Sequence, residues 1–128
     1  MAQNQSPKPP YDLEERTLKF SQDALAFTKS LPRTMINLEL IKQLIRSSTS
    51  VGANYIEANE ALGKKDFLYR ARIARKEAKE TRYWLRLIEV GLENEEERER
   101  LYQEVTEIMK ILGSIIVKRE RKSEKLKS

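Results

Sequence analysis

The sequence predicts an all-α protein folded as an antiparallel up-and-down four-helix bundle. Three observations carry that expectation. Glycine and proline are scarce, four of each in 128 residues, and the apolar–polar alternation of half-buried strands is absent. Apolar residues instead recur at spacings of three and four, which stacks them on one face of a helix. The connections between these periodic segments are short, which makes consecutive helices antiparallel neighbours.

Residues 1–10, MAQNQSPKPP, are polar and carry three prolines; they are expected to form a disordered arm. The bundle is then assigned to 11–117 and a charged flexible tail to 118–128. A first helix is expected from about Asp12 to Ser30, with Leu13, Thr17, Phe20, Ala24, Phe27 and Leu31 as its apolar stripe. Pro32 ends it, because proline lacks the amide hydrogen a helix interior needs.

A second helix is expected from about Met35 to Leu62. Its stripe reads Ile41, Leu44, Ile45, Ser48, Val51, Gly52, Tyr55, Asn59 and Leu62, with Gly63 as C-cap. The stretch SSTSVGANYIEAN, residues 47–59, is unusual for a helix interior, where glycine costs about 1 kcal/mol relative to alanine. Small residues on a packing face let two backbones approach closely, so tight helix packing is the plain explanation. A subunit contact through Ser47, Ser50, Asn54 or Glu57 is the alternative, and a ligand pocket is a third.

The third helix is expected over Phe67 to about Val90, capped by Asp66 and closed by Gly91. Asn94 and Glu97 suit a capping box for the fourth, whose stripe is Leu101, Val105, Ile108, Leu112 and Ile115. Beyond Val117 the sequence KRERKSEKLKS has nothing to bury.

Composition excludes more than it assigns. There is no cysteine and no histidine, which removes disulfides, thiolate metal sites, cysteine nucleophiles and the commonest general base. No glycine-rich phosphate loop is present, and no serine sits in a strand-to-turn context. No catalytic, cofactor-binding or metal-binding residue is assigned, and no enzyme activity is expected. No apolar run approaches the roughly 18 residues of a membrane span, and no apolar signal core opens the chain. A cytoplasmic protein without a membrane partner is expected. The net charge of +5 favours acidic partners weakly.

The stretch from 47 to 85 also carries a family resemblance. Ser48, Val51 to Asn54, Glu57, KKDF at 64–67, Ile73-Ala74, Glu77-Ala78, Glu80 and YWL at 83–85 resemble the signature of the 23S rRNA intervening-sequence proteins. The match spans helices two and three, about a third of the chain; the outer helices match only in their amphipathic pattern. The chain departs in Gly52, where many members carry proline, and in YIEA at 55–58. The resemblance implies a bundle that assembles into a ring, a homo-oligomer of pentameric form. It implies a relation to the accessory proteins of diversity-generating retroelements, which work with nucleic acid. It supplies no catalytic residue, and the family name records gene location rather than an activity.

Helix three carries the constellation that points to function. Arg72, Arg75, Lys76, Lys79, Arg82 and Arg86 project within an arc of roughly 120° and extend over about 21 Å. Lys64 and Lys65 join them if the helix begins before Asp66. A stripe of one sign repels itself, so omitting acids at i+4 is a small sacrifice that phosphate binding explains. The competing explanation is a solvated face, or one paired with Glu93, Glu95, Glu96, Glu97 and Glu99 of helix four. Among the cations only Tyr83, with Tyr69 at the edge, offers a stacking surface, so backbone contacts with little sequence preference are expected. Arg70 and Glu77 intrude on the apolar face, and each is expected to meet an opposite charge or an amide.

Helix one shows a second apolar seam in Leu18 and Leu25, and helix four is apolar over a wide arc including Tyr102, Met109 and Ile116. Surplus apolar surface marks an interface, here assigned to Leu18, Leu25, Asn54 and Glu57. The leading expectation is a non-enzymatic oligomeric scaffold that binds RNA or DNA. The alternative is an oligomeric module that binds only a protein partner.

Overall fold

The computed structural model describes residues 12–127, with side chains placed through Lys122. The expected arm at 1–10 lies outside the described residues. Four helices form an all-α bundle: α1 Leu13–Thr28, α2 Met35–Asn59, α3 Lys64–Leu87 and α4 Glu95–Lys127. A 3-10 turn, Leu92–Asn94, leads into α4. Consecutive helices run antiparallel, and the side-chain ties show it. Along α3, Arg70 meets Asn54 of α2 and Thr81 meets Ser47. Along α1, Arg16 pairs with Glu104 of α4 while Asp23 pairs with Arg100.

The main core is drawn from all four helices. Leu13, Phe20 and Phe27 of α1 pack with Leu44 and Val51 of α2, Leu85 of α3, and Leu101, Val105, Ile108 and Leu112 of α4. Each such side chain removed from water contributes about 1.5–3 kcal/mol, which outweighs the modest helix propensity of the β-branched members. A second, smaller cluster of Ala58, Phe67, Leu68, Ala71 and Ile116 sits where α2 turns into α3.

The small-residue stretch of α2 is explained by its central place between α1 and α3. A Cβ at Gly52 would lie 2.8 Å from Thr17 Oγ1 and 3.0 Å from Thr17 Cβ, so only glycine allows α1 to approach this closely. One turn away, Ser21 donates to the Ser48 carbonyl at 3.2 Å. On the opposite flank, the Thr81 hydroxyl donates to Ser47 Oγ at 2.8 Å, both residues fully buried. Ser47 is therefore committed to α3 and is not free to meet another subunit.

Several boundaries differ from the sequence expectation, each for a local reason. The segment between α2 and α3 contains no left-handed residue. Gly63 is thus not a C-cap of α2 but the extended N-cap of α3, and α2 ends at Asn59 with Glu60 following. Asp66 lies within the first turn of α3, where its carboxylate favours the positive end of the helix dipole. Leu62, expected in the stripe, is fully exposed, and Ile45 and Asn59 are exposed as well. Asn59 donates to Glu14 at 2.8 Å instead of packing inward.

α3 stops at Leu87, before Gly91, because Ile88 turns extended. Arg98 of α4 donates to the carbonyls of Leu85 and Ile88 at 3.4 and 2.9 Å, serving groups a helix end leaves unpaired. The Asn94–Glu97 capping box does not form: Asn94 bonds to Ser30 and Glu97 to Arg100. Finally, the helix does not end near Val117, where a flexible tail is expected, but continues to Lys127. No proline or glycine interrupts 118–127, and its Lys, Arg, Glu and Leu residues are good helix formers.

Candidate functional site

The start of α3 at Lys64 brings Lys64 and Lys65 onto the same helix as the rest of the basic stripe. The side of α3 that carries this stripe faces α4, and between the two helices lies a groove of about 670 Å³. Arg72, Arg75, Lys76, Lys79 and Arg82 line it, with Met109 and Gly113 of α4. No carboxylate is among the lining residues. Gly113 leaves the α4 wall without a side chain. A Cβ there would come no nearer than 3.8 Å to Arg75, so the glycine widens the groove and is not forced by packing.

Arg86, grouped with these residues by sequence, is set apart. It lines a second groove of about 340 Å³ with Leu85, Glu95, Arg98, Glu99 and Tyr102. Two carboxylates lower the positive potential there. Arg82 and Tyr102 divide the two grooves: the Arg82 guanidinium lies 4.9 Å from the centre of the Tyr102 ring and donates to its hydroxyl at 2.8 Å. Arg82 also reaches Met109 Sδ at 3.5 Å, which makes it the anchored member of the stripe.

Three of the acids early in α4 are engaged away from the stripe, and one later acid, Glu120, meets it. Glu95 pairs with Arg98, Glu97 with Arg100, and Glu99 accepts from Gln103. Arg72 pairs with Glu120. Among the described residues, Arg75, Lys76, Lys79 and Arg86 make no ion pair, and all four are exposed. Tyr69 and Tyr83 are about 59% and 60% exposed on the same helix.

Both charged intruders on α3 find partners, as expected. Arg46 of α2 reaches Glu77 at 3.1 Å and Glu80 at 3.0 Å. Arg70 donates to the Asn54 amide oxygen at 3.3 Å. Hydrogen bonding to Glu80, set against partial desolvation and supported by Glu77, holds the Arg46 guanidinium above its ordinary pKa.

The residues assigned to a subunit contact do not form one patch. Leu18 and Leu25 are exposed at 51% and 39% on the side of α1 next to α2. Asn54 and Glu57 lie on the far side of α2, toward α3, where Glu57 lines a small cavity with Tyr69 and Arg70. The residues that complete the α1 seam are Leu38, Ile45 and Ile56 of α2, all exposed. Ile45 and Ile56 share a row with Ser48 and Gly52, three or four residues apart, and Ser48 meets Ser21 of the Leu18–Ser21–Leu25 row. The offset of Ile45 and Ile56 from the centre of the stripe was the available signal. On α4 the wide apolar arc is not surplus: Ile116 is buried, and Tyr102 and Met109 pack against the core beside Arg82.

Among the described residues, no helix is long and apolar enough to cross a membrane, and no cluster of acids is placed to hold a metal ion.

Comparison with known proteins agrees with this geometry. The family model of the 23S rRNA-intervening sequence proteins matches residues 11–114. A crystal structure of a protein of unknown function from the S23 ribosomal protein family of Bacteroides thetaiotaomicron is similar at 35% identity. It covers 84% of this chain and 96% of its own, with a TM-score of 0.69. No curated protein matches the chain.

Proposed function

The chain belongs to the 23S rRNA-intervening sequence protein family, and from that premise we propose that it is a non-enzymatic, oligomeric helical scaffold that binds the phosphate backbone of RNA or DNA. The surface is the basic groove between α3 and α4. One observation carries the reading: five cationic side chains line a single groove that contains no carboxylate. Cations at i+3 and i+4 repel one another by a few tenths of a kcal/mol per pair. A helix shaped for stability alone would interleave acids, and among the described acids of α4 only Glu120, on Arg72, pairs with a groove cation.

Phosphate contacts supply affinity and displace counterions, so binding weakens steeply with salt. For about four contacts, affinity should fall roughly fiftyfold for a single strand and roughly 150-fold for a duplex between about 50 and 200 mM salt. Fluorescence anisotropy with short RNA and DNA strands and duplexes measures this. The triple substitution Arg75→Glu, Lys76→Glu and Lys79→Glu changes exposed residues without ion-pair partners, so helicity and stability should persist while binding is lost. Equal binding by parent and variant, or none by either, sinks the proposal.

A second reading, a module that binds only protein, is favoured by the apolar face of Leu18, Leu25, Leu38, Ile45 and Ile56. That face is separate from the basic groove. Pull-downs with the groove variant therefore test this reading independently.

A further inference from the structure

Resting on the backbone-binding reading, we infer that the groove is built for single-stranded nucleic acid, with the exposed Tyr83 beside it as a stacking platform for an unpaired base. Three features of the structure point the same way.

The first is shape. The cations line a concave channel between two neighbouring helices, whose axes lie about 8–10 Å apart. A duplex is a rigid rod broader than its own major groove of about 12 Å, so it meets only the rim of a cleft between two packed helices, whereas a single strand can follow the cleft. Arg82 is half-buried and anchored to α4 through Tyr102 and Met109. Arg75 is adjacent to Gly113 on the α4 wall. Both cations are within reach of a strand that follows the channel.

The second is the bare wall at Gly113. A glycine in the middle of a helix is unfavourable, and packing does not demand one here, because a Cβ would make only ordinary contacts at 3.8 and 3.9 Å. Its consequence is space in the channel.

The third is an exposed aromatic. Of the two tyrosines on α3, Tyr69 lines the separate cavity of Glu57, Glu60 and Asp66, whereas Tyr83, about 60% exposed, lies four residues after Lys79 and three before Arg86 and so in the row of unpaired cations. Sequence-tolerant single-strand binding combines a basic track with aromatic faces on which bases stack. Paired bases in a duplex offer no such face.

Trp84, the chain's single tryptophan, gives a direct readout. Its ring centre lies 5.2 Å from that of Tyr83 in an edge-on arrangement with planes 70° apart. A base stacked on Tyr83 therefore perturbs Trp84 emission.

The experiment titrates the full chain with oligo-dT and oligo-U of about 12 nucleotides and with a blunt duplex of equal length, following tryptophan emission and anisotropy. Single strands should bind about tenfold or more tightly than the duplex, at equal salt, and quench Trp84. Tyr83→Leu, which keeps an apolar contact with Trp84, should lower single-strand affinity about tenfold, abolish the quench and leave duplex binding unchanged. Gly113→Leu, which fills the channel while raising helix propensity, should act against single strands alone. Duplex binding equal to or tighter than single-strand binding, indifferent to both substitutions, overturns the inference and leaves the backbone reading in place. Absence of salt-sensitive binding to any of the three probes overturns both.

Discussion

Two glycines in helix interiors show how one residue type answers different demands. Gly52 is fixed by contact: alanine there would bring its Cβ to within 2.8 Å of Thr17 Oγ1 and 3.0 Å of Thr17 Cβ. The β-branched Thr17 is fully buried and has little freedom to move aside. Overpacking of this kind costs about 1–3 kcal/mol, more than the gain of about 1 kcal/mol in helix propensity. Gly113 meets nothing closer than 3.8 Å, so the propensity gain stands unopposed. Thermal unfolding should therefore show Gly52→Ala destabilised and Gly113→Ala stabilised by about 0.5–1 kcal/mol. Equal and same-signed shifts would refute the close-approach account of α2. From sequence, both glycines look alike, since each sits in an apolar helical pattern. Only Thr17 on a facing helix distinguishes them, and a one-dimensional pattern does not report what faces a residue. The charged intruders were more legible, because burial of Glu77 forces a partner on it whatever the neighbour is.

At the scale of elements, the periodic stripes foretold the number, order and direction of the helices, while the ends were harder to read. Gly63 and Gly91 resemble stop signals, yet both take extended backbone and precede helical turns instead of ending them. α3 ends where Arg98 reaches back to its carbonyls and where the Asn37 side chain bonds both Glu89 and Pro32. Those caps come from distant residues, so local sequence cannot announce them. α1 and α4 are joined differently, through charge. Burial pushes the Asp23 carboxyl up, but hydrogen bonds from Lys19 and Arg100 outweigh it and hold its pKa below the ordinary 3.8. A carboxyl with a lowered folded-state pKa stabilises the fold above its unfolded value. That contribution is lost as pH falls through the folded-state pKa. Denaturation measured from neutral pH down to about pH 2 should show the parent losing stability relative to Asp23→Asn below about pH 4. Parallel curves for the two proteins across that range would remove Asp23 from the α1–α4 tie.

The whole molecule separates its surfaces. The groove between α3 and α4 is cationic, whereas the outer face of α1 and α2 exposes Leu18, Leu25, Leu38, Ile45 and Ile56. Single exposed apolar side chains are ordinary, but five on two adjoining rows mark a contact surface, the one through which the proposed oligomer would assemble. Because the two surfaces are distinct, assembly would array several basic grooves without covering them. Linked grooves gain from effective concentration only when one strand spans more than one of them. The double substitution Leu18→Glu and Ile45→Glu alters exposed positions, so it should spare the fold while lowering the mass measured by light scattering. Its affinity for strands of a few nucleotides should equal that of the parent. For strands of several tens of nucleotides, affinity should fall by roughly tenfold or more, because avidity is lost and no contact is. A parent that is already monomeric at micromolar concentration would refute assembly through this face. Equal weakening on short and long strands would instead show that α1 and α2 contribute to the nucleic-acid surface itself.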